Sequence, residues 1–225
     1  MLIIETEKTM SSVSRYTLLE EQLHALSHAI GAILGVVGLV LMLRLSLSYG
    51  DNWQLASALI YGSSIILLYS SSALYHSIHN PLIKYRLRQL DHAAIFILIA
   101  GTYTPFTLIS LRGDWGLTLF TIIWLIAIVG VVLELATGLK YKKLSLALYL
   151  GLGWIVVVAI KPMLANVPAP AMWLLLAGGL AYSGGVLFYI WRSLYLHHMI
   201  WHLFVLTGSI LHFLAVYWYV MPHAL

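Results

Sequence analysis

Cysteine is absent from this chain, so neither a disulfide nor a thiolate metal ligand can belong to its chemistry. Any transition metal it holds must rest on imidazole and oxygen, a donor set that suits zinc among others. Charge is scarce too. Only 9% of the 225 residues are Asp, Glu, Lys or Arg, whereas 61% are hydrophobic and the mean hydropathy is +0.93. Soluble domains carry about 25% charged residues, so the chain reads as an integral membrane protein. Its net charge of +4 does not mark a nucleic-acid binder, because the twelve Lys and Arg lie in short loops rather than in one basic stripe. The first twenty residues also lack a long apolar run and carry Glu5, Glu7 and Lys8 instead. No cleaved signal peptide is expected, and the N-terminus is expected to stay in the cytosol.

Long apolar runs are what the sequence has in abundance. A bilayer core needs about 20 apolar residues in a helix. Seven segments meet that need: Ala25 to Leu47, Trp53 to Tyr75, Ala93 to Leu111, Leu117 to Ala136, Leu144 to Ile160, Ala171 to Trp191 and Ile200 to Val220. The fifth is the shortest, closed by Lys161 and Pro162. The sixth carries Gly178, Gly179, Gly184 and Gly185, which predicts close packing on a neighbour. The fold class is therefore an all-α seven-helix membrane bundle, with a tail over residues 1–23 and one membrane domain over 24–221.

Nine Lys and Arg fall on one side of this scheme: Lys8, Arg15, Lys84, Arg86, Arg88, Lys140, Lys142, Lys143 and Arg192. Arg44, Arg112 and Lys161 fall on the other. The positive-inside rule then predicts a cytosolic N-terminus and, with an odd number of spans, a C-terminus outside.

On that topology His76 ends the second span, Asp91 opens the third, and His198 and His202 open the seventh, all at the cytosolic face. Polar groups near hydrocarbon are costly unless they pair, reach water or bind a cation. His198 and His202 stand four residues apart, about 6 Å along one helix face, a spacing that lets two imidazoles share a metal. Ser72 lies one turn beneath His76, placed to orient its ring or a bound water. Each residue alone has a plainer reading: an interfacial histidine, a helix N-cap for Asp91, helix packing for Ser72. Their shared depth favours a site. His24 and His28, with Glu20 and Glu21, approach from the same side on the first span. His197 points about 100° away from His198, and His212 lies about 15 Å further along the helix than His202, so neither fits. Glu134 is expected to pair with Lys140 or meet water.

These residues resemble a family. The stretch Ser72 to His76 (Ser-Ala-Leu-Tyr-His), the Leu90 and Asp91 pair, His198 to His202 (His-Met-Ile-Trp-His) and Glu20 to His28 (Glu-Glu-Gln-Leu-His-Ala-Leu-Ser-His) are similar to the motifs of the hemolysin III group. That group is the bacterial branch of the progestin and adipoQ receptor family. The resemblance covers roughly Glu20 to Val220. It implies seven helices with the N-terminus inside, a multi-pass location in a bacterial plasma membrane, and zinc held by His76, His198 and His202. It further implies that Asp91 holds a zinc-bound water, with Ser72 close by. Where bacterial relatives commonly have Asn in the first motif, this chain has His24.

Three histidines leave a fourth zinc position open, the pattern of a catalytic site. Together with a membrane-embedded location this favours a zinc-dependent, ceramidase-like hydrolase acting on a lipid amide or ester and serving membrane-lipid homeostasis, with Asp91 and Ser72 as catalytic residues. Two other readings stand beside it: a non-enzymatic lipid sensor with structural zinc, and a cytolytic hemolysin. The partner expected in every case is a membrane lipid.

Overall fold

A computed structural model describes residues 16–138 and 140–224. The N-terminal tail that contributes Lys8 and Arg15 to the topology count lies outside the described residues. Helix α1 (Leu18–Tyr49) starts from a capping box in which the Thr17 side chain accepts from the Glu20 N–H while the Glu20 carboxylate accepts from the Thr17 N–H. Helix α2 (Asn52–Ser77) starts from a second such box, Asp51 with Gln54. Helix α3 (Pro81–Pro105) has Asn80 as N-cap and Pro81 in its first turn, where the missing N–H costs nothing. It continues as a π-turn, Phe106–Ser110, just after Pro105. Helix α4 spans Asp114–Thr137. Helix α5 (Lys142–Gly153) passes through a 3₁₀ turn (Ile155–Ala159) into the short α6 (Ile160–Asn166). Helices α7 (Ala169–Ile190) and α8 (His197–Ala215) complete the set, with α8 prolonged by a π-turn over Val216–Val220.

Seven stretches are long and apolar enough to cross a membrane, the fifth formed by α5 and α6 together, and no strand occurs among the described residues. The expected seven-helix bundle is therefore present. Its boundaries differ from those predicted in an instructive way. Helix α1 begins at Leu18 rather than Ala25, and α3 begins at Pro81 rather than near Asp91. Hydropathy marks only the hydrocarbon-depth portion, whereas capping chemistry extends each helix through polar turns that face the interface. Lys161 and Pro162 do not close the fifth span. They sit in the first turn of α6, where proline is tolerated.

Sequential helices pack as neighbours, α1 on α2, α2 on α3, α3 on α4 and α7 on α8, and α1 also meets α8 to bring the two ends of the chain together. That last contact matters most for the site, because it carries the first span to the start of the seventh. Close approach depends on glycine: a Cβ at Gly31 of α1 would run into the Tyr69 ring of α2. The glycines of α7 behave as expected in part. Gly178 lies against His212 and Gly185 against Phe204 and Trp201, all on α8, whereas Gly179 and Gly184 are in ordinary contact. Large apolar side chains such as Ile33, Val40, Val129, Val158 and Leu187 are exposed on the outer surface, as lipid contact requires.

Candidate metal centre

Four helices meet near one face of the bundle, and each contributes a polar side chain. Helix α1 carries Glu21, His24 and His28 at spacings of three and four, so all point to one face, with Ser27 beside them. The last turn of α2 carries His76, and α3 carries Asp91. Helix α8 begins after Leu196, whose φ of 56° places it in the left-handed region that a leucine seldom adopts. That turn sets His198 at the base of α8, with His202 one turn on.

The rings of His24, His76, His198 and His202 pack around a common centre. Their centroids stand 4.8 Å (His24–His76), 4.9 Å (His24–His198), 5.2 Å (His24–His202), 5.4 Å (His76–His198), 5.1 Å (His76–His202) and 4.6 Å (His198–His202) apart. One nitrogen from each of His24, His76 and His198 lies within 4.8 Å of the other two. The sequence predicts His76, His198 and His202 as ligands; the converging group found among the described residues holds two of them with His24, and His202 is not part of it. His202 remains in the ring cluster. His28 stacks on it at 3.6 Å.

Two of the rings are anchored on the side away from the centre. The Nδ1 of His76 donates to Glu21 Oε2 at 2.6 Å, and Glu21 Oε1 meets the Lys84 ammonium at 3.0 Å. Lys84 in turn donates to the Tyr75 carbonyl at 3.0 Å. The Nδ1 of His202 pairs with the Ser27 hydroxyl at 3.1 Å. Fixing one ring nitrogen in this way sets the tautomer and leaves the other free to bind. Among the described residues, the buried side-chain nitrogens without a hydrogen-bond partner include His76 Nε2, His198 Nδ1 and both nitrogens of His24 and of His28. A buried polar atom left unpaired costs about 1–3 kcal/mol. Several such nitrogens converging on one point fit a bound cation, and an all-imidazole donor set suits a divalent transition metal. Tyr16 closes the outer side, stacked on His198 at 5.1 Å and edge-on to His24 at 4.8 Å. Burial, then the nearby Tyr189 phenol, pushes its hydroxyl up to about 12, so it stays protonated.

Asp91 is not the first residue of its helix. It lies ten residues inside α3, and Asn80 is the cap. The N-cap reading is thereby replaced: Asp91 lies near Ser72 of α2. Both residues line a cavity of about 650 Å³ that also reaches His198 and His202. From Asp91 the cavity follows α3 to Phe106, fifteen residues or about 22 Å at the helical rise. Its walls are mostly apolar, and Val157, Leu164 and Trp173 both line it and lie exposed on the outer surface. The cavity thus opens sideways, where lipid would lie.

Other polar residues are used differently. His197 is held by the Phe188 carbonyl at 3.0 Å and His212 by the Leu175 carbonyl at 3.1 Å, apart from the four-ring cluster as expected. Glu134 does not face water. It is buried and accepts from the Tyr149 hydroxyl at 3.3 Å. Glu21 and Lys84 were undervalued by sequence reading, which placed Lys84 among topology signals. The i, i+3, i+7 pattern of Glu21, His24 and His28 was the available signal for the first.

Comparison with known proteins places these observations in a family. The model described as haemolysin-III related matches residues 16–213. Hemolysin-3 of Bacillus cereus is 44% identical over 205 residues, covering 91% of this chain and 94% of that protein. The Hemolysin-3 homolog of Bacillus subtilis (strain 168) is 42% identical over 204 residues, covering 91% and 96%. Monocyte to macrophage differentiation factor of Homo sapiens is 28% identical over 209 residues, covering 90% and 85%. Since the family match takes in every helix that contributes to the site, the chain belongs to the haemolysin-III related family.

Proposed function

We propose that the protein is a zinc-dependent hydrolase of a long-chain lipid amide or ester, working from the cytosolic face of the bacterial inner membrane in the upkeep of membrane lipids. The observation that carries this reading is the cavity: an apolar trough the length of an acyl chain, open toward lipid, with Asp91, Ser72, His198 and His202 at one end. His76, His198 and His202 would hold the ion. When bound, zinc supplies Lewis acidity, polarising a carbonyl and lowering the pKa of water to about 7.

The chain's own residues supply the rest. The trough holds the acyl chain and excludes water from it, which brings the amide or ester carbonyl to the end where Asp91 lies. Asp91 accepts a proton from the attacking water as the new C–O bond forms. It then returns that proton to the departing amine or alcohol as the C–N or C–O bond breaks. Ser72 would donate to the Asp91 carboxylate and orient it, and Glu21 fixes the ring of His76.

A lipid sensor with a structural ion is the second reading, favoured by the way the imidazoles tie α1, α2 and α8 together. Zinc-loaded protein in lipid, tested against a panel of long-chain amides and esters, separates the two. An enzyme turns over a panel member, and Asp91→Asn lowers that turnover about 100-fold while zinc is retained. Absence of hydrolysis across the panel supports the sensor.

A further inference from the structure

We propose that His24 is a fourth imidazole ligand, so that the ion rests on His24, His76, His198 and His202 together and accepts a substrate oxygen only as an added ligand on the side facing Asp91. This rests on the zinc reading of the same site. The ring geometry carries it. With a Zn–N bond of about 2 Å and the ring centre roughly 1 Å beyond the nitrogen, two imidazoles on one tetrahedral zinc have centres about 5 Å apart. All six centroid separations among the four rings fall between 4.6 and 5.4 Å. Such near-equality around six edges describes a tetrahedron of rings about one point.

His24 has no other use for its nitrogens. It is fully buried, and among the described residues neither Nδ1 nor Nε2 has a hydrogen-bond partner. Its nitrogen belongs to the converging group, with those of His76 and His198. Nor does His24 line the cavity, whereas His198 and His202 do. It therefore leaves the cavity side accessible to an added ligand. His28 is also buried with both nitrogens unpartnered, but ring geometry excludes it: its centroid is 3.6 Å from that of His202 with the planes only 11° apart, too close for two rings on one zinc.

The test is a ligand count on the full-length protein in lipid. X-ray absorption at the zinc edge of wild-type protein should give four imidazoles. His24→Asn should give three with an added oxygen, and His28→Asn should still give four. In the cobalt-substituted protein, millimolar azide should change the visible spectrum of His24→Asn far more than that of wild type. Three imidazoles in wild type would overturn the four-imidazole centre, a result that stands even if the variant does not fold. An unchanged count in His24→Asn would do the same. Wild-type protein that retains no zinc at all would instead remove the zinc reading beneath it.

Discussion

Glu21 and His76, 55 positions apart in the chain, meet through a 2.6 Å hydrogen bond from His76 Nδ1 to Glu21 Oε2. The carboxylate can only accept, so Nδ1 carries the proton and Nε2 presents its lone pair to the cluster. Lys84 balances the charge of Glu21 from the other side at 3.0 Å. Buried charges of this kind are tolerated when each has its partner.

Removing that carboxylate should therefore weaken the metal site without touching a ligand. For Glu21→Gln, zinc affinity measured by chelator competition should fall about 10- to 100-fold, the usual effect of losing a partner that orients a ligand. Unchanged affinity would mean that His76 is oriented without Glu21.

Histidine identity should matter by position. His202→Ala should lose most of the bound zinc by elemental analysis and should also melt at lower temperature, since ion binding contributes to folding. His212→Ala should keep its zinc, because that ring is committed to the Leu175 carbonyl and packs against Gly178. Equal retention in both would detach the metal from the ring cluster.

Orientation is open to a direct measurement. A reporter fused after the C-terminus should read as outside the cytosol and one at the N-terminus as inside, following the distribution of Lys and Arg. A cytosolic signal from the C-terminal fusion would place the histidine cluster at the outer face and reverse the expected side of access.

The opposite face of the bundle offers a pH-dependent contact. Asp51 caps α2, accepts from the N–H groups of Trp53 and Gln54, and pairs with Arg112 at 2.7 Å. Slight burial pushes its carboxyl up, but these backbone bonds and the guanidinium outweigh it and hold the carboxyl below its usual range. A depressed carboxyl contributes stability that is present above its unfolded pKa of about 4 and is lost as pH falls through the folded value. Asp51→Ala should cost about 1 kcal/mol near neutrality, as for loss of a helix cap. In thermal melts the gap between variant and wild type should close in acid. A gap that stays constant with pH would assign the effect to something other than the carboxylate.

The seven spans were determined by sequence alone, because the number and length of apolar runs fix how often a chain can cross a bilayer, whatever its neighbours do. The pair His198 and His202 was equally plain, since four-residue spacing on a helix is a local property. What no local rule could supply was the partner of each group. A cap reading stayed open for Asp91 beside the site reading because hydropathy cannot see the polar turns from Pro81 onward. Lys84 looked like a surface charge because its partner Glu21 is 63 positions away in the chain. The sequence places His24 on the site's side of the first span but gives it no ligand role. Only the packing of α1 against both α2 and α8 brought its ring within 5.2 Å of three others, and that contact joins the two ends of the chain. Secondary structure follows from short-range pattern, whereas a site assembled from four helices is decided by which helices pack together, and in this protein the tertiary fold made that choice.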